Sequence, residues 1–84
     1  GREASGPAAR LADEYAALCA AVERGEEPFL DPYAAEDEAE FFAVASEAFI
    51  ETPRELAAAH PDVYAALARF YRLDPASWPG PRRG

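Results

Sequence analysis

Asp37-Glu38-Ala39-Glu40-Phe41-Phe42-Ala43-Val44-Ala45-Ser46-Glu47-Ala48-Phe49-Ile50-Glu51 is the stretch that decides the fold. At 3.6 residues per turn, Phe41, Phe42, Val44, Ala45, Ala48 and Phe49 cover a broad apolar arc. Glu40, Glu47 and Glu51 fall within about 20° of one line on another side. Ile50 and Ala43 border that line, so the helix is apolar nearly all round and is expected to be buried. Asp37 is a good N-cap, and Glu40 stands three residues on, where a capping box places its carboxylate. The spacing predicts a helix from about Glu38 to Glu51.

Reading upstream, Glu26 to Glu36 is a connector with Pro28 and Pro32, which argue against both helix and central strand. Its run Phe29-Leu30-Asp31-Pro32-Tyr33 carries enough apolar surface to pack down. Before it, Leu11, Tyr15, Leu18 and Val22 form a helical stripe in a segment opened by Pro7 and closed by Gly25. Gly1 to Gly6 is small and polar, a flexible end.

Reading downstream, Thr52-Pro53-Arg54-Glu55 is a helix start, with Thr52 as cap, Pro53 in the first position and Glu55 completing a capping box. This short helix runs to about Ala59. His60-Pro61 breaks it, and Pro61 opens a last helix to about Leu73, with Val63, Tyr64, Leu67, Phe70 and Tyr71 on its apolar face. Residues 7–75 therefore read as an all-α unit, a small bundle of three to four helices. The tail from Ala76 to Gly84 is rich in Pro, Gly and Arg and is expected to lack structure, apart from Trp78, which can pin it.

The 84 residues are enough for one small domain, and such a chain buries only roughly 60% of its unfolded surface. Many of its hydrophobic residues are Ala, which favours helix over a deep core. The net charge is −8, and all eight basic residues are Arg. That balance repels phosphate, so nucleic acid and anionic membranes are not expected partners. No apolar run reaches the roughly 18 residues of a membrane span. The single Cys19 excludes an internal disulfide framework and fits a reducing cytoplasm. The Ala-, Arg- and Pro-rich, Lys-free usage points to a high-GC bacterial genome.

Three residues are candidates for chemistry. A carboxylate at Glu40, early on an apolar helix, is costly unless capped, paired or bound to metal; the capping box with Asp37 is the structural alternative. Tyr33 is either a packed loop aromatic or a phenol aimed at an oxyanion near Glu40. Glu47, two turns beyond Glu40 on the same line, is by pattern alone an ordinary solvated or ion-paired residue. His60, the only histidine, is expected to cap or to lie on the surface. One His and one Cys, with neither HExxH nor CxxC, do not make a zinc site within this chain. Ser46 has no neighbouring His with which to form a nucleophilic triad.

The stretch from Leu30 to Phe49, with Asp31-Pro32-Tyr33-Ala34 followed by Ala39-Glu40-Phe41-Phe42-Ala43-Val44 and Ser46-Glu47, resembles the C-terminal signature of the Mlc titration factor A family. Thr52-Pro53 with Leu56, Pro61-Asp62-Val63-Tyr64-Ala65-Ala66-Leu67 and Phe70-Tyr71-Arg72-Leu73-Asp74-Pro75 follow the family's usual ending. Ala21-Val22-Glu23-Arg24-Gly25 also fits, so the likeness spans roughly Leu11 to Pro75.

The resemblance implies the helical C-terminal part of a gluzincin-type zinc metallopeptidase with aminopeptidase-like activity. In that family two histidines and the general base come from an HExxH helix, and a glutamate on a later helix is the third zinc ligand. By motif position that ligand is Glu40. A tyrosine one loop earlier, in related lethal-factor-like peptidases, stabilises the oxyanion; by position it is Tyr33. Glu47 matches a recurrent glutamate expected to hold a ligand or a helix in place. The implied partners are a peptide substrate and the repressor Mlc, to which family members are linked. The HExxH segment is absent from these 84 residues, so the expectation is an excerpt or truncated relative, inactive alone. The alternative is an acidic helical interaction module without chemistry.

Overall fold

Proline writes most of the helix starts. A computed structural model describes residues 6–79, with α1 at Pro7–Glu23, α2 at Glu38–Glu51, α3 at Pro53–Ala59 and α4 at Pro61–Tyr71. Single 3-10 turns occur at Pro32–Ala35 and Pro75–Ser77. Every one of these elements except α2 opens with Pro in its first turn. There the missing N–H costs nothing and the fixed φ is already helical. The residues before Pro53, Pro61 and Pro75 share one conformation outside the helical region: Thr52, His60 and Asp74 lie at φ −135 or −136 with ψ between 59 and 72. This is the restriction that a following proline imposes. No strand occurs among the described residues.

α2 begins differently. Asp37 is extended, and its Oδ1 accepts the Glu40 N–H at 2.8 Å. α1 ends at Arg24 and Gly25, whose φ of +87 lets Glu26 N–H reach back to the Ala21 carbonyl at 3.0 Å.

The helices close on one core of Leu11, Leu18, Leu30, Ala34, Phe41, Ala45, Phe49, Leu56, Val63, Ala66 and Leu67. α1 packs along α4, α3 folds back on α4, and α2 lies against the Pro32–Ala35 turn and α3. Phe41, Phe49, Leu56 and Leu67 are the largest side chains that are fully buried. No polar or charged residue is buried among the described residues, so every described charge lies at or near the surface. On the flank of the core, Phe49 stacks on Tyr71 (5.8 Å, 23°) and tilts against Tyr64 (5.2 Å). Phe42 meets the edge of Phe70 at 5.3 Å. Geometry of this kind adds about 0.5–1.5 kcal/mol per pair beyond the buried area.

Four local expectations are corrected. α2 is not enclosed all round: Ile50 is 52% exposed, and Ala43 faces solvent. With so few elements, only one side of a helix finds a partner. Thr52 does not cap α3 with its side chain. It also ends α2, and its hydroxyl donates back to the Ala48 carbonyl at 3.3 Å, where the last turn leaves an acceptor unfilled. α4 stops at Tyr71, because Arg72 turns left-handed (φ 60, ψ 43) and Leu73 N–H bonds the Ala68 carbonyl at 3.1 Å. Residues Pro75–Ser77 form a turn rather than an open tail. Arg54 grips it, donating from Nε to the Ala76 carbonyl (3.1 Å) and from Nη2 to the Trp78 carbonyl (2.7 Å). Trp78 is thus held by its backbone, with the side chain half exposed. Gly6 is the N-cap of α1, whereas the other expectations at the two ends, for residues 1–5 and 80–84, lie outside the described residues.

Candidate functional site

The connector is anchored from within and open on its outer side. Leu30 and Ala34 are buried, at 3% and 0% exposure, and fix the Pro32–Ala35 turn against α2. Asp31 shapes the turn: its Oδ1 accepts the Tyr33 N–H at 2.9 Å, and its carbonyl accepts the Ala34 N–H at 2.8 Å. Alternation between Ala34 inside and Tyr33 outside leaves the Tyr33 ring 63% exposed. Its hydroxyl makes no hydrogen bond to a described residue.

Glu40 lies in the first turn of α2. The capping box is only half made: Asp37 Oδ1 takes the Glu40 N–H, with no return bond from the Glu40 carboxylate. The Glu40 carboxylate is exposed and, among the described residues, has neither a hydrogen bond nor an ion pair. Glu47, two turns further along, is also exposed. It borders a shallow depression of about 280 Å³ with Phe29, Asp31 and Val44. Tyr33, Glu40 and Glu47 therefore occupy the outside of the connector and α2, and no hydrogen bond joins any of them to another.

Whether a metal fits can be judged from the donors. No group of three or more His, Cys, Asp or Glu able to hold a metal exists among the described residues. An exposed, unpaired carboxylate such as Glu40 suits one position of a metal's ligand set, and the other donors have to come from elsewhere. Ser46 Oγ is engaged with the Tyr71 hydroxyl at 2.9 Å and makes no hydrogen bond to His60. Cys19 Sγ lies 3.8 Å from the Ala35 carbonyl, so the only thiol is tied to the far side of the connector.

Sequence reasoning missed a second feature. A cleft of about 560 Å³ opens where α1, the connector and the α3–α4 junction meet, lined by Glu14, Leu18, Glu27, Phe29, His60 and Val63 among others. His60 neither caps a helix with its side chain nor lies free on the surface. Its ring is tilted against Phe29 at 6.4 Å, its Nε2 is buried without a hydrogen-bond partner, and burial pushes its pKa below 6.5. Glu14, on the cleft's α1 wall, is shifted upward by burial and then by the nearby Asp62 carboxylate, against the pull of Arg10. The signal in sequence was His60-Pro61 itself: a residue kept out of the helical region before proline at a helix junction directs its side chain inward or outward, and pattern alone does not say which.

No helix among the described residues is long and apolar enough to cross a membrane. No solved structure matches the chain. The Mlc titration factor A of Edwardsiella ictaluri is 54% identical over 46 residues, which cover 55% of this chain and 18% of that protein. That of Pectobacterium atrosepticum is 50% identical over 46 residues, covering 55% and 17%. An uncharacterized protein of Synechocystis sp. is 39% identical over 65 residues, covering 77% of this chain and 24% of its own length. The chain thus spans between 17% and 24% of the length of these relatives. The sequence pattern of the glucose-regulated metallo-peptidase M90 family matches residues 4–72, and the chain belongs to that family.

Proposed function

We propose that this helical unit contributes to a zinc-dependent, aminopeptidase-like peptidase of the cytoplasm by supplying one metal ligand, Glu40, and one oxyanion-stabilising phenol, Tyr33. The observation that carries the reading is the half-made capping box. Asp37 alone caps α2, which leaves the Glu40 carboxylate exposed and, among the described residues, unpaired at the start of a helix fixed by its buried face. A ligand on a rigid helix keeps its position to a fraction of an ångström. The remaining ligands and the general base belong to an HExxH helix, which these 84 residues do not contain. Bound there, zinc would lower the pKa of a water and polarise the peptide carbonyl. Tyr33, on a turn anchored through Leu30 and Ala34, directs an unengaged hydroxyl outward, where it can donate to a developing oxyanion. Glu47 would hold the α2 surface in register with the segment that brings the histidines. The substrate is a peptide, and the Mlc repressor is a second partner; the name of the relatives, Mlc titration factor A, supports the latter. By itself the chain is inactive.

The test is a chimera in which residues 4–72 replace the matching segment of the Edwardsiella ictaluri relative. One zinc per chain and peptidase activity are expected, measured by elemental analysis and cleavage of a chromogenic peptide. Glu40→Ala loses the metal, whereas Tyr33→Phe keeps it and lowers kcat by roughly 10²-fold or more. Full zinc occupancy in the Glu40→Ala chimera overturns the ligand assignment.

The aromatic flank supports a non-catalytic reading as an interaction module. Phe70 and Tyr71 are 42% and 37% exposed beside Phe42, on the faces of α2 and α4. Activity in the chimera decides against that module as the whole function.

A further inference from the structure

His60 occupies a position with two stable solutions, one for each protonation state. It is the single residue between α3 and α4: its N–H bonds the Leu56 carbonyl at 2.7 Å, and its own carbonyl accepts the Tyr64 N–H at 2.9 Å. The backbone is therefore fixed, and only the side chain is free to change. In the observed state the ring lies against Phe29 of the connector, and Nε2 points to no acceptor. A neutral imidazole tolerates that position at the cost of one unmade hydrogen bond, whereas an imidazolium adds a partly desolvated charge whose enclosed Nε2 has no partner.

The surroundings offer the cation another place. The cleft that His60 and Phe29 themselves line carries Glu14 from α1 and Glu26 and Glu27 from the connector, whose carboxylates an imidazolium can reach by turning away from Phe29. Asp62, on α4, acts on Glu14. Glu26 is already paired with Arg24 at 2.8 Å, which leaves, among the described residues, Glu14 and Glu27 as acceptors on the cleft wall. α3 contributes only Ala59 there, and α4 only Val63. None of these carboxylates hydrogen-bonds the ring in the observed state.

We propose that His60 is an acid-released latch for the connector. Neutral, it holds Phe29 against the α3–α4 junction; protonated, it swings into the carboxylate-lined cleft and lets the connector loosen. The latch depends on this chain's own packing and not on the metallopeptidase reading. Only its consequence for Tyr33, four residues beyond Phe29 on the same connector, rests on that reading.

The sign follows from linkage. Burial holds the folded-state pKa of His60 below 6.5, so the latched state binds fewer protons than the released one. The latch is tightest where His60 is neutral in both states and weakens as pH falls toward the folded-state value, below which His60 adds no further change. Glu14 acts the other way and lower: its raised pKa favours the folded state below about 4.5, and that contribution fades as pH rises through its folded value. The window just below 6.5 belongs to His60.

The experiment is an NMR titration of the 84-residue chain between pH 8 and 5. It follows the His60 ring protons, the Phe29 ring protons and the protection factor of the Ala34 amide, which is bonded to the Asp31 carbonyl. The His60 ring should titrate below 6.5, Phe29 should shift with the same midpoint, and Ala34 protection should fall by up to about tenfold per pH unit across that window. His60→Phe, which keeps an aromatic ring against Phe29, should make the Phe29 and Ala34 signals independent of pH there. A His60 midpoint at or above 6.5, or Phe29 and Ala34 signals that ignore the His60 titration, overturns the latch. These readouts need no metal and no substrate, so their failure leaves the proposed enzymatic role untouched.

Discussion

Along α2, Phe41, Ala45 and Phe49 are exposed by 2% or less, while Glu40, Glu47 and Ile50 on the other side of the same helix face solvent, Ile50 at 52%. The buried side repeats every four residues and meets the connector turn, α3 and α4, so each of its residues is explained by the fold. The outer side is open to solvent, and the Glu40 and Glu47 carboxylates make no hydrogen bond among the described residues. One helix thus carries two kinds of residue: some whose identity the packing dictates, and some that the packing leaves free for other work. Both residues of α2 assigned to the candidate site belong to the second kind.

Cutting into the buried side should have the largest effect. Phe49→Ala removes a fully buried ring that stacks on Tyr71 and tilts against Tyr64, and it should lower unfolding free energy by about 3–5 kcal/mol in urea titrations followed by circular dichroism. For a thin core of this size, that approaches complete unfolding. Asp37→Ala tests the joint between the two sides, since Asp37 fixes where α2 begins. A loss of about 1 kcal/mol is expected, with fraying confined to the first turn. On the outer side, Glu40→Gln and Glu47→Gln should each change stability by less than about 0.5 kcal/mol. A loss above about 1 kcal/mol in either variant would show that the outer side supports the fold after all, and the comparison would collapse.

The order of helices was legible because its signals are local. Pro7, Pro53 and Pro61 stand where helices start, Asp37 caps α2, and Gly25 takes the positive φ that ends α1. Failures came where one residue serves two elements. Thr52 ends α2 as well as preceding α3, and its hydroxyl is drawn to the first task. Arg72 adopts a left-handed conformation that residues other than Gly and Asn seldom take, so nothing in its identity announced the end of α4. The extent of burial on α2 was misread because apolar periodicity reports which residues can be buried, not how many neighbours exist to bury them.

The candidate site was legible only through resemblance. Exposed carboxylates such as Glu40 and Glu47 give no periodic signal that separates a ligand from a solvated residue, and the donors that would distinguish them are not in this chain. His60 was misplaced for a different reason. Its orientation is set by Phe29, 31 positions earlier, a tertiary contact that no local pattern encodes.

The prolines at the element starts have a consequence in the denatured ensemble. In each case the ring restricts the torsions of its own residue and of the one before it, whether or not the chain is folded. Replacing a freer residue by proline at a compatible position is worth roughly 0.4–1 kcal/mol, because fewer unfolded conformations have to be surrendered. Five such positions, at 7, 32, 53, 61 and 75, therefore narrow the random coil before any side chain is buried. A chain with so much alanine and so few large core residues is stabilised partly by what its disordered form is forbidden to do.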